Sequence, residues 1–387
     1  MCEGMMSTEF TFRKIDRKIE KDGFAASVIA ASDLLVRKRL GRPIFDTLVE
    51  HGVIQPISRP VLKTIASETV TVPIDTDDTF PFVSLLEEGN ILSETGLVLT
   101  PNFEILEESA AVPDQAQQAM MAMLSRELFY GDAPVRGLLT KSRPRHSDST
   151  SRSLETVAPL IPRYRNYYHW MIETVPQIRY IRAFEQKTGE RVTLLIRPDA
   201  PSFVDETLEL LEWPRSRIKY ATEPMYDITN LILPSFPERH AADFEWLRSR
   251  TFGQVPETTP KSGNNIYVSR ANAVERRVVN EDEVMDVLSQ FGFSCYQLEE
   301  RSLKENVCLF ADADIVVGPH GAGLTDIIFA NDCTLVELFG DKIKPHYREL
   351  TSAVDLSYEP MYCRAESTDI VVDTAALEET VREICDQ

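Results

Sequence analysis

Between Asn265 and Leu338 short apolar segments alternate with amphipathic stretches, and this alternation constrains the fold more than any other feature of the chain. The segments Asn265–Ser269, Ser294–Leu298, Asp314–Val317 and Thr334–Leu338 read as strands, the third of them buried. Between them Glu281–Phe291, Leu303–Ala311 and Ala322–Phe329 carry helical periodicity. Strands separated by helices form right-handed βαβ units on a parallel sheet. Ligands of such sheets bind beyond the C-terminal ends of the strands, so chemistry is expected in the loops after Ser269, Val317 and Leu338.

A second α/β region precedes this one, with a helix over His169–Phe184, a strand over Val192–Ile196, a helix over Phe203–Leu211 and a strand over Ile228–Leu233. Alternating segments between Val70 and Leu106 add β-structure, Gln115–Leu128 reads as a helix, and Lys141–Thr156 reads as a polar surface loop. Residues 10–66 read as helices broken at Gly41-Arg42-Pro43 and around Pro56–Pro60. A chain of 387 residues exceeds one hydrophobic core. Three parts are therefore expected: a helical extension over 1–66, an α/β domain over 67–250 and a C-terminal α/β domain over 251–387, the seam lying in the Pro- and Gly-containing stretch Thr251–Asn265.

The net charge of −20 argues against nucleic acid as the partner, because phosphate backbones are held by clustered Lys and Arg. Any anionic ligand must find local positive charge. Arg outnumbers Lys by 29 to 12, an acidity with scarce Lys that suits either a cell of high internal salt or an ordinary acidic cytoplasm. Residues 1–64 run against the trend with a net +3, and Phe12–Arg42 reads as a helix that packs on the body or lies on an anionic membrane surface. The sequence has no run of 18 apolar residues, and no secretion signal is expected. Six cysteines without C-x-x-C spacing fit reduced thiols. The expected location is cytoplasmic, with peripheral contact at the inner membrane face as the variant.

Three segments carry candidate chemistry. In Gly318-Pro319-His320-Gly321-Ala322-Gly323 a buried strand runs into a glycine-rich turn and then a helix. Backbone N–H groups at such a turn suit an anion, and the His320 side chain can donate to it. Arg270 follows the strand ending at Ser269, and Arg276 and Arg277 follow closely; guanidinium forks suit a diphosphate, with Arg270 and Arg277 preferred. Asn280 with Glu283 fits capping of the next helix. In Asn166-Tyr167-Tyr168-His169-Trp170-Met171-Ile172-Glu173, His169 and Glu173 share one helical face, which allows a carboxylate–imidazole pair or a capped, structural histidine. Pro176 is expected to strain or end that helical stretch. Asp75-Thr76-Asp77-Asp78 and Asp312-Ala313-Asp314 read as solvated or capping acids, so no metal site is expected.

These segments together resemble glycosyltransferase family 61, over roughly residues 160–345. Asn166–Pro176, Ser269-Arg270, Arg276-Arg277, Asn280–Glu283, Gly318–Leu324 and Val336-Glu337-Leu338 carry the likeness. The resemblance implies a GT-B-like fold, two Rossmann-like domains facing a cleft, with the nucleotide sugar on the C-terminal one. It also implies inverting, metal-independent transfer from a nucleoside-diphosphate sugar, UDP-linked, to a glycan or glycolipid hydroxyl, in surface or capsular polysaccharide or glycoconjugate synthesis. In that scheme Glu173 is the first choice of base and His169 the second, with Asn166 and Trp170 on the acceptor side. Arg270, Arg277, His320, Gly321, Ala322 and Gly323 hold the donor, and Glu337 accepts from ribose hydroxyls. A non-catalytic sugar-nucleotide-binding scaffold is the alternative. A Rossmann oxidoreductase is excluded by the missing third glycine after Gly321-Ala322-Gly323.

Overall fold

The computed structural model describes residues 70–73, 81–101, 105–106, 109–110, 123–124, 127, 154–237, 239–254 and 264–386. The expected helices of 1–66, the acidic run Asp75–Asp78 and most of 115–153 lie outside the described residues. The chain divides into two compact units, whose described parts are 70–201 with 213–237 and 202–212 with 239–386. The later crossing between them falls near 238, ahead of the Thr251–Asn265 stretch where the seam is expected, and 202–212 belong to the second unit.

The first unit is built on a mixed sheet. Its described strands are β1 (Val70–Pro73), β2 (Phe82–Leu92), β3 (Val98–Leu99), β4 (Leu154–Pro159), β5 (Thr193–Ile196), β6 (Ile218–Tyr220) and β7 (Met225–Pro234). Their order is β1-β2-β7-β4-β5-β6, with β3 beside β2. β4, β5 and β6 run parallel, and β7 runs parallel to β4. β2 is antiparallel to β1, β3 and β7, so this half departs from a purely Rossmann-like sheet. β4 also takes up Leu154–Thr156, the end of the stretch expected to be a loop. Phe82, Leu86, Ile91, Val157, Leu195 and Leu231 meet in its core.

The helical segment after β4 has three parts: α1 (Tyr167–His169), a π turn (Trp170–Thr174) and α2 (Val175–Thr188). Pro176 sits in the first turn of α2, where it has no N–H to offer and where its ring crowds the carbonyl four residues back. The chain answers with the wider turn rather than a break: the Val175 N–H donates to the Trp170 carbonyl, five residues back.

The second unit holds α3 (Ser202–Leu210), α4 (Ala241–Phe252) and a five-stranded, all-parallel sheet. Its elements alternate as expected: β8 (Asn265–Val268), α5 (Glu281–Leu288), β9 (Phe293–Tyr296), α6 (Leu303–Ala311), β10 (Ile315–Pro319), β11 (Thr334–Phe339), α7 (His346–Ala353) and β12 (Ser357–Tyr362). The Ala322–Phe329 stretch is a 3-10 helix instead of an α-helix. A hairpin of β13 (Arg364–Glu366) and β14 (Asp369–Val371) precedes α8 (Thr374–Cys385).

The strand order is β12-β11-β10-β8-β9. Counted from β8 this is the doubly wound order 2-1-3-4-5, whose direction of winding reverses between β8 and β10. Connections leave in opposite directions there and open a crevice at the strands' C-terminal ends. The two strands end at Val268 and Pro319, so Ser269-Arg270 and His320-Gly321 stand at that crevice.

Candidate functional site

β10 is buried along its whole length, as a central parallel strand must be, and delivers the chain into the glycine turn. The glycines first serve close packing. A β-carbon at Gly318 would lie 3.0 Å from a Leu324 methyl and 3.1 Å from Val268 Cβ, and one at Gly323 would lie 3.2 Å from Val268. At Gly321 it would overlap Arg270 Nη1 and lie 2.7 Å from Cζ, so the missing side chain is the space that the Arg270 guanidinium occupies.

Three contacts fix the turn. The His320 N–H donates to the Leu338 carbonyl at 3.0 Å. Arg276 Nη1 donates to the His320 carbonyl at 2.6 Å, and the Tyr347 hydroxyl donates to the Gly321 carbonyl at 2.5 Å. The first 3-10 hydrogen bond runs from Leu324 N to the Gly321 carbonyl, so the N–H groups of Ala322 and Gly323 precede the bonded ladder.

Arg270 and Arg276 are the cations of this corner. Burial first, and the neighbouring Arg276 charge second, push the Arg270 guanidinium below its ordinary value. Arg270 Nη2 reaches only a backbone oxygen, that of Glu275, at 3.3 Å, and the Nε atoms of both arginines are buried without a hydrogen-bond partner. Such donors cost about 1–3 kcal/mol each when left unsatisfied. Arg276 also holds a left-handed backbone at φ 64°, pinned by its N–H to the Thr368 carbonyl at 2.7 Å. For a residue with a side chain this costs roughly 1–2 kcal/mol. Arg276 Nη2 also lies 3.8 Å from a Glu275 carboxylate oxygen, but the two crowded guanidiniums keep buried Nε donors unused, one of them on a strained backbone, and such donors suit a polyanion.

Arg277 faces elsewhere. Its backbone N–H, Nε and Nη2 all donate to Asp369, Nη2 at 2.7 Å, and these bonds raise its pKa. Of the adjacent arginines it is Arg276, not the preferred Arg277, that joins Arg270 and His320. Asn280 stands at the N-cap of α5 and its amide donates to Glu283 Oε2 at 3.1 Å as the spacing suggests, but its side chain caps no helix N–H: it also donates to the Val372 carbonyl and accepts from the Val372 N–H, tying α5 to the chain after β14.

Glu337 is fully buried, and both oxygens are engaged. Oε1 lies 2.5 Å from His320 Nδ1, and Oε2 accepts from the Tyr358 hydroxyl at 2.7 Å. This places it behind His320, as an orienting group, and not at a surface where it could meet ribose. A further positioning residue escaped the sequence reading. Glu281 accepts from the Tyr267 hydroxyl at 2.9 Å and from Ser269 Oγ at 3.0 Å, fixing the end of the strand from which Arg270 projects. The Tyr-x-Ser-Arg spacing was its signal, since alternate strand residues share a face.

The first unit presents the second cluster. Asn166 caps α1, accepting the His169 N–H at 3.1 Å. Arg165 anchors the segment by pairing with Glu94 and Asp199. His169 Nδ1 lies 2.7 Å from Glu173 Oε2, a close approach outside hydrogen-bond alignment, and the imidazole packs on Tyr164 at 4.4 Å. Glu173 lines a pocket with Arg163, Thr174, Gln177, Ser109 and Phe236. The buried Arg163 Nε has no partner there. Trp170 is 1% exposed, so its ring belongs to the core and offers no face to an acceptor.

The second unit thus carries a cationic glycine turn at a switch point, and the first unit carries a carboxylate–imidazole pair at a π turn. The sequence between those landmarks matches a known family, described as Glycosyltransferase 61, over residues 167–336. It is also similar to a beta-1,2-xylosyltransferase of Arabidopsis thaliana, 30% identical over 116 residues. That similarity covers 25% of this chain and 22% of the relative's length. His169, Glu173, Arg270, Arg276 and His320 all fall inside the family match, and residues 167–336 thus carry the sequence pattern of glycosyltransferase 61.

Proposed function

We propose that this chain is a glycosyltransferase that moves a sugar from a nucleoside-diphosphate donor, UDP-linked, to a hydroxyl of a glycan or glycolipid acceptor. The observation that carries the proposal is the pair of guanidiniums, Arg270 and Arg276, with buried, unpartnered Nε donors beside the glycine turn. A diphosphate leaving group develops negative charge as the glycosidic bond breaks, and preorganised donors stabilise that charge. Arg270, Arg276, His320 and the N–H groups of Ala322 and Gly323 supply such donors, which supports a metal-independent reaction.

Transfer is a single displacement with inversion. Glu173 takes the acceptor proton, with His169 the second choice of base, while the diphosphate departs from the opposite face. Two α/β units, one with an anion corner and one with a carboxylate–imidazole pair, support the GT-B class. Surface or capsular polysaccharide synthesis on the cytoplasmic side is the setting proposed.

The test is transfer to a panel of glycan hydroxyls from UDP-, GDP- and CDP-linked pentoses and hexoses, with EDTA present and the product anomer read by NMR. Transfer with inversion in EDTA supports the proposal. Retention, or activity only with a restored divalent cation, overturns the mechanism. Donor binding without transfer or hydrolysis from any sugar nucleotide supports the scaffold instead.

A further inference from the structure

His320 is more constrained than a phosphate contact requires. Its ring stacks with Phe339 at 5.5 Å and with His346 at 6.1 Å, and the Tyr347 ring stands edge-on at 5.6 Å. Behind it stands Glu337, fully buried, with Nδ1 at 2.5 Å. The groups facing His320 are Glu337 from β11, itself held by Tyr358 from β12, His346 and Tyr347 from α7, and Arg276, on its carbonyl, from the loop after β8, with Arg270 over the adjacent Gly321.

Burial and the bond to Glu337 push the Tyr358 phenol well above its ordinary value, so it stays a donor. A carboxylate that accepts from that phenol has its other oxygen free to accept the proton of Nδ1. The uncharged ring then carries its hydrogen on Nδ1, and Nε2 is left as an acceptor, which repels a phosphate oxygen. Only the imidazolium offers Nε2–H to an anion.

We infer that Glu337 is a positioning residue that holds His320 as the Nδ1–H tautomer, so that a diphosphate binds the glycine turn together with a proton taken up at Nε2 from solvent. The inference rests on the donor-site reading above for its ligand, but its structural half stands without any ligand. No bond is made or broken beyond the N–H formed at Nε2. On departure of the diphosphate the same proton is in place to neutralise one of its oxygens.

The experiment uses the full chain labelled with ¹⁵N-histidine, the His320 signals being assigned by their loss in His320→Gln. At alkaline pH the unliganded wild type is expected to show the Nδ1–H tautomer at His320, and Glu337→Gln is expected to shift it towards Nε2–H. An Nε2–H tautomer in the wild type would mean that a neutral Glu337 donates to Nδ1, and it overturns the inference even where the variant does not fold. The second measurement is calorimetric titration of pyrophosphate in buffers of different ionisation enthalpy. Wild type is expected to take up a proton on binding, with affinity falling as pH rises, and Glu337→Gln to lose that uptake. Binding without proton uptake overturns the inference. If pyrophosphate does not bind at all, the donor-site reading fails, while the tautomer still decides the role of Glu337.

Discussion

Replacing Gly321 with alanine separates the Arg270 corner from the fold. Gly321 has extended backbone at φ −178°, so alanine adds no backbone strain. Its methyl would overlap Arg270 Nη1 and lie 2.7 Å from Cζ and 3.1 Å from Cδ. These atoms belong to a flexible side chain that can swing towards solvent. Stability should therefore change by no more than about 1 kcal/mol. Activity should not be spared, because the guanidinium leaves the position proposed for the developing diphosphate charge. Removing one preorganised donor of this kind costs about 3 kcal/mol, roughly 100-fold in kcat/KM. The assay is steady-state transfer alongside thermal unfolding, for Gly321→Ala, Arg270→Ala and the double variant. Because one variant acts by displacing the residue that the other removes, the double variant should be no worse than Arg270→Ala within about 0.5 kcal/mol. Wild-type kcat/KM in a folded Gly321→Ala protein, or two losses that add, would refute the reasoning.

Other consequences are equally specific. Arg276→Ala should cut kcat/KM on the order of 100-fold. Arg276→Gly should match it in activity yet be more stable than the alanine variant by about 1 kcal/mol, since glycine tolerates φ 64°; equal melting temperatures would contradict the strain. Arg277→Ala removes a partly exposed pair with Asp369 and should cost about 1 kcal/mol or less, with donor affinity retained in a calorimetric titration. Glu173→Gln should lower the transfer rate about 100-fold or more without changing diphosphate affinity; unchanged turnover would remove Glu173 as the base. Burial raises Glu127 from 4.5 to about 7, although it accepts a hydrogen bond from Thr95 Oγ1 at 2.7 Å. In that interval the folded state holds a proton that the unfolded state has lost. Stability should then fall as pH rises from about 4.5 to about 7, and Glu127→Gln should flatten that slope in melts across the range.

The second sheet was legible because its central strands β8, β10 and β11 are buried on both faces and so read as apolar runs, as in Ile315–Val317. The first was less so. Its parallel strands were readable, but the antiparallel pairing of β2 with β7 joins segments far apart in sequence that no local pattern links. The π turn was hidden because Pro176 signals a disturbed helix without saying how the chain relieves it. Arg276 and Arg277 could not be told apart in sequence; the left-handed backbone at Arg276 and the Asp369 carboxylate send the two side chains to different partners. Glu337 was recognisable as a site residue, but its role turned on strand parity. Val336 and Leu338 enter one core, while Glu337 shares the opposite face with Phe339, against His320. Trp170 was read as an acceptor contact because its neighbours carry chemistry, whereas its ring is core.

The central claim is that the Arg270–Arg276–glycine corner is a diphosphate site that works without a metal. It is tested most directly by calorimetric titration of UDP, GDP and CDP into the full chain and into Arg270→Ala, with EDTA throughout. Saturable binding of one diphosphate to the wild type, weakened at least tenfold in a folded Arg270→Ala protein, is the predicted result. Equal affinity in both proteins, or binding that requires a divalent cation, would contradict it.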